Sequence, residues 1–367
     1  MQFNSKISYR ASKRALTWTK AIVFLLVMYF LYDLIKTKIG HFEDFEVSFS
    51  LLFLPKNILL ISLILLLTPI NWAFEAWKWQ KLASKIENTT FWQAYKGVLV
   101  GLTLSTTTPL MIGDYAGKIL LLKSDKRLQS IGAILLGNAI QLYISLVFGT
   151  ISYVFFIIWV KPSPIFAHSF LVTILTISIV FGVYLGNNLS NISVFLSKNV
   201  WNCDILCGKS NLSLNSSSQE RGFDQATPQN ITEGNILLKY LKKYLIILEN
   251  YTVLELRNLL LIAASRYVIF TIQFVLMFRI FQINLPLNII LAGIGIVFLT
   301  KTLISALNAL GDLGIRTLTS VYYFGFFGAN IAAVSSATFM IWLVNVLLPV
   351  TVGSVFVWQL KLSTKKL

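Results

Sequence analysis

Six apolar stretches in this chain are each long enough to cross a lipid bilayer. About 20 consecutive apolar residues span the hydrocarbon core, and the stretches lie near 19–36, 57–77, 130–160, 168–186, 254–279 and 328–360. The mean hydropathy of +0.72 and the 56% share of hydrophobic residues exceed what one soluble core can bury. The sequence therefore predicts an all-α polytopic membrane protein with about six transmembrane helices.

Two further apolar regions, 92–123 and 287–326, are each interrupted by polar residues near the middle. Irregular backbone at membrane depth is tolerated only where it is buried in protein or lines a cavity. Each region is therefore predicted to be a re-entrant helical hairpin, and one interrupted crossing is the alternative. In the first region, Ser105 to Thr108 precede Pro109, and we expect their hydroxyl groups to bond the backbone groups that the break frees.

The distribution of Lys and Arg predicts how the chain lies in the membrane. Basic residues flank 92–123 on both sides, whereas the flanks of 287–326 carry none, so the first hairpin is expected to open to the cytoplasm and the second to the outside. Both termini, the basic segment 1–18 and the tail 361–367, are predicted to be cytoplasmic. The Ser- and Asn-rich segment 203–236 is predicted to be a disordered cytoplasmic loop.

A duplicated motif indicates an internal repeat. Gly113-Asp114 is followed by Lys118, Gly311-Asp312 is followed by Arg316, and no other Gly-Asp dipeptide occurs in the chain. The shift of 198 positions from Gly113 to Gly311 also carries 57–77 onto 255–275 and 130–160 onto 328–358, which lie within the fifth and sixth apolar stretches. With hairpins that open in opposite directions, the halves 19–160 and 161–360 are predicted to form an inverted repeat, an architecture that is typical of transporters.

The two Gly-Asp dipeptides predict a site for an anionic group. Each would begin a short helix whose first N–H groups and positive dipole end favour an anion, with Lys118 or Arg316 one turn further on. The alternative is that each aspartate only pairs with the basic residue four positions later, which lets a polar hairpin pack among helices. The predicted substrate-binding residues are Gly113, Asp114, Lys118, Gly311, Asp312, Arg316, Glu75 and Arg266.

Glu75, near the end of the second apolar stretch, and Arg266, inside the fifth, are candidates for a charge pairing between the halves or with the opposite-sign residues of the hairpins. Glu75 also has a simpler interpretation, which the sequence favours. It lies in "NWAFEAWKWQKL", where tryptophans alternate with Lys78 and Lys81 near the end of the second apolar stretch. Such a pattern is typical of an interfacial aromatic belt with snorkelling lysines, in which Glu75 would only neutralise charge. Lys301, before the second Gly-Asp, is expected either to end a half-helix or to line the cavity.

Other kinds of site find little support in the sequence. Cys203 and Cys207 stand without a second pair, and His41 and His168 lie far apart, so we predict neither a metal, a cofactor nor an enzyme. The net charge of +16 is explained by topology and by attraction to anionic headgroups, not by nucleic-acid binding.

The segments "EAWKWQKL", "KGVLVGLTLSTTTPLMIGDYAGKILLL" and "ALNALGDLGIRTLTS" resemble the lysylphosphatidylglycerol synthase transmembrane family, also called the flippase-like domain. The resemblance covers roughly residues 15–360 apart from the cytoplasmic loop. The family's first motif is similar to Pro-x-x-x-Gly-(Glu/Asp)-x-x-x-Arg, with lysine at position 118 here, and its second is similar to Gly-x-Gly-Val-Arg-Glu, with Asp312 and Thr317 as departures. The resemblance implies lipid translocation or lipid-linked sugar metabolism. The soluble aminoacyl-transferase part of the synthases finds no counterpart in the segments above, so lysine transfer to lipid is not predicted.

The function expected from the sequence is therefore binding and translocation of an anionic phospholipid or polyprenyl-phosphate lipid across the cell (inner) membrane by alternating access. The alternative is a non-transporting, lipid-carrier-binding partner of a membrane glycosyltransferase or an envelope scaffold. A membrane-embedded enzyme using Asp114 and Asp312 ranks last.

Overall fold

The computed structural model describes residues 48–108, 112–122, 129–160, 165–188, 246–304 and 309–359. Within them, two π-helical segments, Phe156–Val160 and Leu343–Leu347, continue longer helices. The predictions for 1–18, 19–36, 203–236 and 361–367 lie outside the described residues. The helices are α1 (Ile58–Ala83), α2 (Phe91–Thr107), α3 (Ile112–Leu120), α4 (Ser130–Phe155), α5 (Ile165–Asn187), α6 (Val253–Ile280), α7 (Leu287–Leu303), α8 (Ala309–Phe326), α9 (Ile331–Trp342) and α10 (Leu348–Gln359).

Five helical stretches of the described chain are long and apolar enough to cross a membrane. They coincide with the second to sixth apolar stretches of the sequence, and no strand occurs in the ranges given above. The protein is therefore an all-α polytopic membrane protein, which confirms the predicted fold class. The five stretches are Pro55–Ala83, Ser130–Ile158, His168–Asn187, Val253–Ile280 and Ile331–Gln359.

Local signals in the sequence fix where several helices begin. Thr90 and Gln93 form a capping box at the start of α2, and Thr252 and Glu255 form another at the start of α6. The side chain of Asn330 caps α9 by accepting a hydrogen bond from the Ala333 N–H. These caps place the loops between helices and so set the length of each apolar helix.

Helices α2 and α3 form a hairpin whose arms touch backbone to backbone. A Cβ on Gly117 would lie 2.2 Å from the backbone nitrogen of Gly101, and one on Gly113 would lie 2.1 Å from the carbonyl carbon of Leu104. Only glycine allows this approach. The arms contain Gly97-x-x-x-Gly101 and Gly113-x-x-x-Gly117, a spacing that places small residues on one helix face.

Helices α7 and α8 form a second hairpin, which packs through aromatic rings. Gly293 of α7 accommodates the rings of Tyr323 and Phe324 from α8. Phe324 also meets Phe278 of α6 edge to face, with ring centroids 4.7 Å apart. The two regions predicted as hairpins are thus helical hairpins in the structure, with different packing chemistry between their arms.

Helices α1 and α6 pack against each other in antiparallel directions. Tyr251, just before α6, donates a hydrogen bond to the carbonyl of Leu82 at the end of α1. Near the other end, Gln273 donates to the carbonyl of Ile64 at 3.1 Å and to the hydroxyl of Thr68 at 3.0 Å. Gln273 and Thr68 are both fully buried. Helices α1 and α6 are thus joined by polar contacts near both of their ends.

The remaining helices pack in a reciprocal pattern. Helix α2 of the first hairpin packs against α10, and helix α7 of the second hairpin packs against α4. Helix α5 lies at the periphery, where it contacts α4 and leaves most of its apolar side chains exposed. Each hairpin is therefore held by the last long helix of the other half of the chain.

Candidate functional site

Glu75 is the centre of a buried ion cluster. It lies on α1, about two turns before the helix ends, and only 6% of its surface is exposed. Its carboxylate lies 2.7 Å from the Lys78 ammonium and 3.3 Å from the Lys118 ammonium, and it accepts a hydrogen bond from the Arg266 guanidinium. One carboxylate thus joins α1, the first hairpin and α6.

The guanidinium of Arg266 is oriented by polar and aromatic neighbours. Its Nε donates to the Asn71 side chain at 3.2 Å, and one terminal nitrogen donates to the Gln141 side chain at 3.3 Å. The guanidinium also lies over the ring of Trp72, at 5.3 Å from the ring centroid. Since these contacts come from α1 and α4, the position of Arg266 depends on three helices.

Helix α3 of the first hairpin holds Asp114 and Lys118 one turn apart. The Lys118 ammonium lies 2.9 Å from the Asp114 carboxylate and also faces the ring of Trp79. Lys118 is buried, with 4% of its surface exposed. The close approach of α2 and α3 at Gly117 places this side chain against α1, where it reaches Glu75.

The hydroxyl of Thr108 bridges the two arms of this hairpin. It donates to the carbonyl of Leu104 at 2.9 Å and accepts a hydrogen bond from the Gly113 N–H at 2.8 Å. The hydroxyls of Ser105 and Thr106 likewise bond backbone carbonyls of the preceding turn. The prediction that hydroxyls bond the freed backbone is confirmed for Thr108 alone of these three residues, because the carbonyls that Ser105 and Thr106 reach lie inside α2. The expectation that the Gly113 N–H is free for an anion is wrong, because that N–H donates to Thr108.

The second hairpin carries a similar group of charges. Asp312, in the first turn of α8, lies 2.9 Å from the Arg316 guanidinium and 3.5 Å from the ammonium of Lys301, which belongs to the last turn of α7. The Arg316 Nε–H does not point at the carboxylate, so this contact is an ion pair without a directed hydrogen bond. One turn beyond Arg316, the buried hydroxyl of Ser320 has no hydrogen-bond partner in the described part of the chain.

The two groups of charges are close neighbours, but they are not directly paired. Every ion pair of Glu75, Asp114 or Lys118 stays within the first group, and Asp312 pairs only with Lys301 and Arg316, as far as the structure describes the chain. Arg266 nevertheless lies within electrostatic reach of Lys301, where the two like charges repel each other. Helix α8 also contacts α2, so the two hairpins touch.

The contact between Glu75 and Arg266 has a neutral counterpart on the same two helices. A shift of 198 positions carries position 75 onto 273 and position 68 onto 266. Gln273 and Thr68 are hydrogen-bonded to each other, as Glu75 and Arg266 are. The same pair of repeat positions therefore meets twice between α1 and α6, once as an ion pair and once as a neutral pair.

The aromatic-belt interpretation of Glu75 is correct only for its neighbours on the outer face of α1. Trp77 is 44% exposed, and the exposed Lys81 lies over its ring, as expected at an interface. Lys78 and Trp79 are instead almost fully buried, each with 2% of its surface exposed. Lys78 therefore does not snorkel, and Glu75 belongs to the interior.

Sequence reasoning left four members of the site out of the predicted set: Lys78, Lys301, Asn71 and Gln141. Lys301 was noted in the sequence, without an assigned partner. Lys78 does have a local signal, because it lies three positions after Glu75 on the same helix, but the aromatic-belt interpretation assigns it to the membrane interface. Asn71 and Gln141 have no local signal, because only packing between distant helices shows that they face Arg266. No group of three or more His, Cys, Asp or Glu residues that could hold a metal ion occurs among the described residues.

Comparisons with known proteins give no further identification, since no family model, no curated protein and no solved structure matches the chain. The resemblance to the flippase-like domain therefore stays a prediction from the motifs. What the described arrangement offers chemically is a set of basic side chains, held by fewer acidic ones, on α1, α6 and two helical hairpins that touch.

Proposed function

We propose that the protein binds the anionic headgroup of a lipid between its two hairpins and moves it across the cell membrane. The observation that carries the proposal is the placement of Lys118 and Arg316. Both are buried basic side chains on the second arm of a helical hairpin, and each is paired with an aspartate one turn earlier. Buried charge in a membrane protein usually marks a binding site or a path for polar groups.

The predicted inverted repeat would allow movement by alternating access, and several features of the fold are consistent with it. The first residues of α1, α2 and α3 recur in those of α6, α7 and α8 after a shift of 198 positions, to within a few residues, although α8 continues beyond the end that corresponds to α3. The equivalent helices α1 and α6 pack antiparallel, and each hairpin packs against the last long helix of the other half. A twofold relation in the membrane plane would generate all three features, and transporters with such repeats expose a central site to each side in turn.

In this mechanism the charged residues have different tasks. Lys118 and Arg316 contact the headgroup, while Asp114 and Asp312 restrain them between binding events. Glu75 and Arg266 join α1 to α6 at the point where the two halves meet, so they couple a movement of one half to the other. Both termini are cytoplasmic in this proposal.

A lipid-movement assay tests the proposal. Full-length protein is reconstituted into liposomes, and the inward and outward movement of fluorescent phosphatidic acid and phosphatidylglycerol is followed by quenching from outside. We expect Lys118→Gln and Arg316→Gln to slow movement by about tenfold or more, because each removes one charged contact. Lys118→Arg should recover most of the rate, and Lys81→Gln, an exposed lysine outside the cluster, serves as the matched control.

The assay also separates the alternative function. If lipid co-purifies with the protein but the reconstituted protein moves no lipid in liposomes, the two results together would favour a non-transporting partner of a membrane glycosyltransferase. Equal rates of movement in the wild type and all variants would remove the proposed roles of Lys118 and Arg316.

A further inference from the structure

The group of charges around Glu75 and the group around Asp312, together called the charge cluster below, carry more positive than negative charge among the described residues. The cluster's basic members number five and its acidic members three, which leaves a formal excess of two positive charges within the described residues. The group around Glu75 contributes one of these two charges, and the group around Asp312 contributes the other. The basic members are Lys78, Lys118, Arg266, Lys301 and Arg316, and the acidic members are Glu75, Asp114 and Asp312.

An excess of this kind is costly in a membrane interior. Each buried ion loses its hydration, and attraction to a partner offsets that cost only when a partner is present. A purely structural cluster would be expected to balance its charges, as the single pair Lys85–Glu255 does at the edge of the helix bundle. The unbalanced cluster is therefore suited to a ligand that brings negative charge with it.

Lys301 is the basic residue with the weakest compensation. Its single ion pair is the longest in the cluster, at 3.5 Å, and it shares Asp312 with Arg316, which is closer at 2.9 Å. Lys78, Lys118 and Arg266 all have partners at shorter distances. The Lys301 side chain is also 31% exposed, whereas the other four basic side chains are at most 8% exposed, so it is the one that a ligand can reach first.

We infer that the ligand carries two negative charges on one terminal phosphate group, as a phosphate monoester does, and that Lys301 contacts this group directly. A phosphodiester carries only one charge and would leave half of the excess uncompensated. The inference rests on the proposed function and deepens it, because it distinguishes among anionic lipids by the ionisation of their phosphate. Two sources supply this chemistry: a diacyl lipid with a terminal phosphate and an isoprenoid lipid with a terminal phosphate.

Competition binding at pH 8 tests the inference, since a phosphate monoester has lost its second proton well below that pH. Full-length protein in detergent is titrated with phosphatidic acid, with a polyprenyl phosphate and with phosphatidylglycerol, and bound lipid is quantified by mass spectrometry. We expect the wild type to bind a monoester at least about tenfold more tightly than the diester. The two monoester arms distinguish the diacyl from the isoprenoid source.

Variants of Lys301 then test its role. Lys301→Gln lowers the excess to one charge and should reduce the preference for the monoester to about twofold or less, while Lys301→Arg should keep it. Lys81→Gln removes a lysine outside the cluster and should leave the preference unchanged. If Lys301→Gln fails to fold, Asp312→Asn tests the same argument in the other direction. This variant raises the excess to three positive charges and should strengthen the preference for the monoester over the diester.

Each outcome separates this inference from the proposed function. Equal affinity of the wild type for monoester and diester would overturn the charge argument, yet lipid movement could still stand. A preference that persists unchanged in Lys301→Gln would overturn the role of Lys301. Absence of binding and of movement for every lipid would overturn the proposed function and this inference with it.

Discussion

At the scale of single residues, one buried carboxylate, that of Glu75, contacts three buried basic side chains. Glu75 faces three cations from α1, α3 and α6, and just one further acid, Asp114, helps to compensate them. A partner removed from a buried pair costs more than the pair itself contributes, because the remaining charge stays buried without compensation. Glu75 should therefore affect stability more strongly than any of its cationic partners taken singly.

The substitution Glu75→Gln tests this expectation. We predict a loss of about 3 kcal/mol in the free energy of unfolding, because Asp114, which pairs with Lys118, would be the one acid left for three buried cations. The measurement is reversible unfolding in mixed micelles, followed by tryptophan fluorescence. Glu255→Gln is the matched control, since it removes a partly exposed pair with Lys85 but keeps a residue that suits the capping box, and it should cost less than about 1 kcal/mol. Similar losses in the two variants would contradict the central role of Glu75.

A second residue-scale prediction concerns Thr108. Thr108→Val keeps the shape of the side chain but removes the hydroxyl that bonds the Gly113 N–H and the Leu104 carbonyl. The expected loss is about 1 to 2 kcal/mol, together with slower lipid movement, because the N–H at the start of α3 is left without its acceptor. Thr176→Val on α5 removes an exposed hydroxyl that bonds only its own helix and should stay within about 0.5 kcal/mol of the wild type. An unchanged Thr108→Val protein would show that water replaces the hydroxyl at no cost.

At the scale of helices, the two hairpins differ in the groups that pack between their arms. The arms of the first meet at glycines, and those of the second meet at a glycine that faces aromatic rings. Backbone contact leaves no space for even one methyl group, whereas rings can turn or shift. The first hairpin is therefore expected to be the more rigid of the two, and the more sensitive to small substitutions.

Gly117→Ala tests this difference. The new methyl group would lie 2.2 Å from the backbone nitrogen of Gly101, so the arms must separate, and we expect a loss of about 1 to 3 kcal/mol or more and weaker contact between Lys118 and Glu75. Gly186→Ala is the matched control, because no atom lies within 4 Å of its added methyl group and alanine favours the helix. Circular dichroism melting curves of both variants give the comparison. A Gly117→Ala protein as stable as Gly186→Ala would mean that the hairpin arms separate easily.

Helices and hairpins could be predicted from the sequence because their signals are local. The length of an apolar run gives a span, and a polar break within one gives a hairpin. Pairing of Glu75 with Arg266, or with a basic residue of a hairpin, could be suggested from the sequence, and Arg266 and Lys118 are indeed its partners. Its third partner, Lys78, could not be told from its neighbour Lys81. Lys78 and Lys81 look alike in sequence, but Lys78 is one turn from Glu75 and faces the interior, whereas Lys81 is six positions away, on another face of α1.

At the scale of the whole molecule, the antiparallel contact of α1 and α6 constrains the topology. The end of α1 lies beside the start of α6, where Tyr251 bonds Leu82, so both lie on one side of the membrane if both helices cross it. The loop that follows α6 must then lie on the other side. This reasoning uses contacts alone, and it agrees with the distribution of lysine and arginine, which places the end of α1 in the cytoplasm.

Cysteine labelling in intact cells tests this arrangement. In a background with Cys203→Ser and Cys207→Ser, single cysteines replace the exposed residues Ser84, after α1, and Asn284, after α6. We expect a membrane-impermeant maleimide to label Asn284→Cys from outside, and to label Ser84→Cys only after the membrane is opened, because the antiparallel pair places these positions on opposite faces.

Two further positions test the hairpins. Asn88→Cys, in the loop before the first hairpin, should behave like Ser84→Cys, whereas Gly328→Cys, after the second hairpin, should behave like Asn284→Cys. Labelling of all four positions from the same side would rule out the inverted repeat, and with it the alternating-access mechanism, while the buried charge cluster would then need a purely structural explanation.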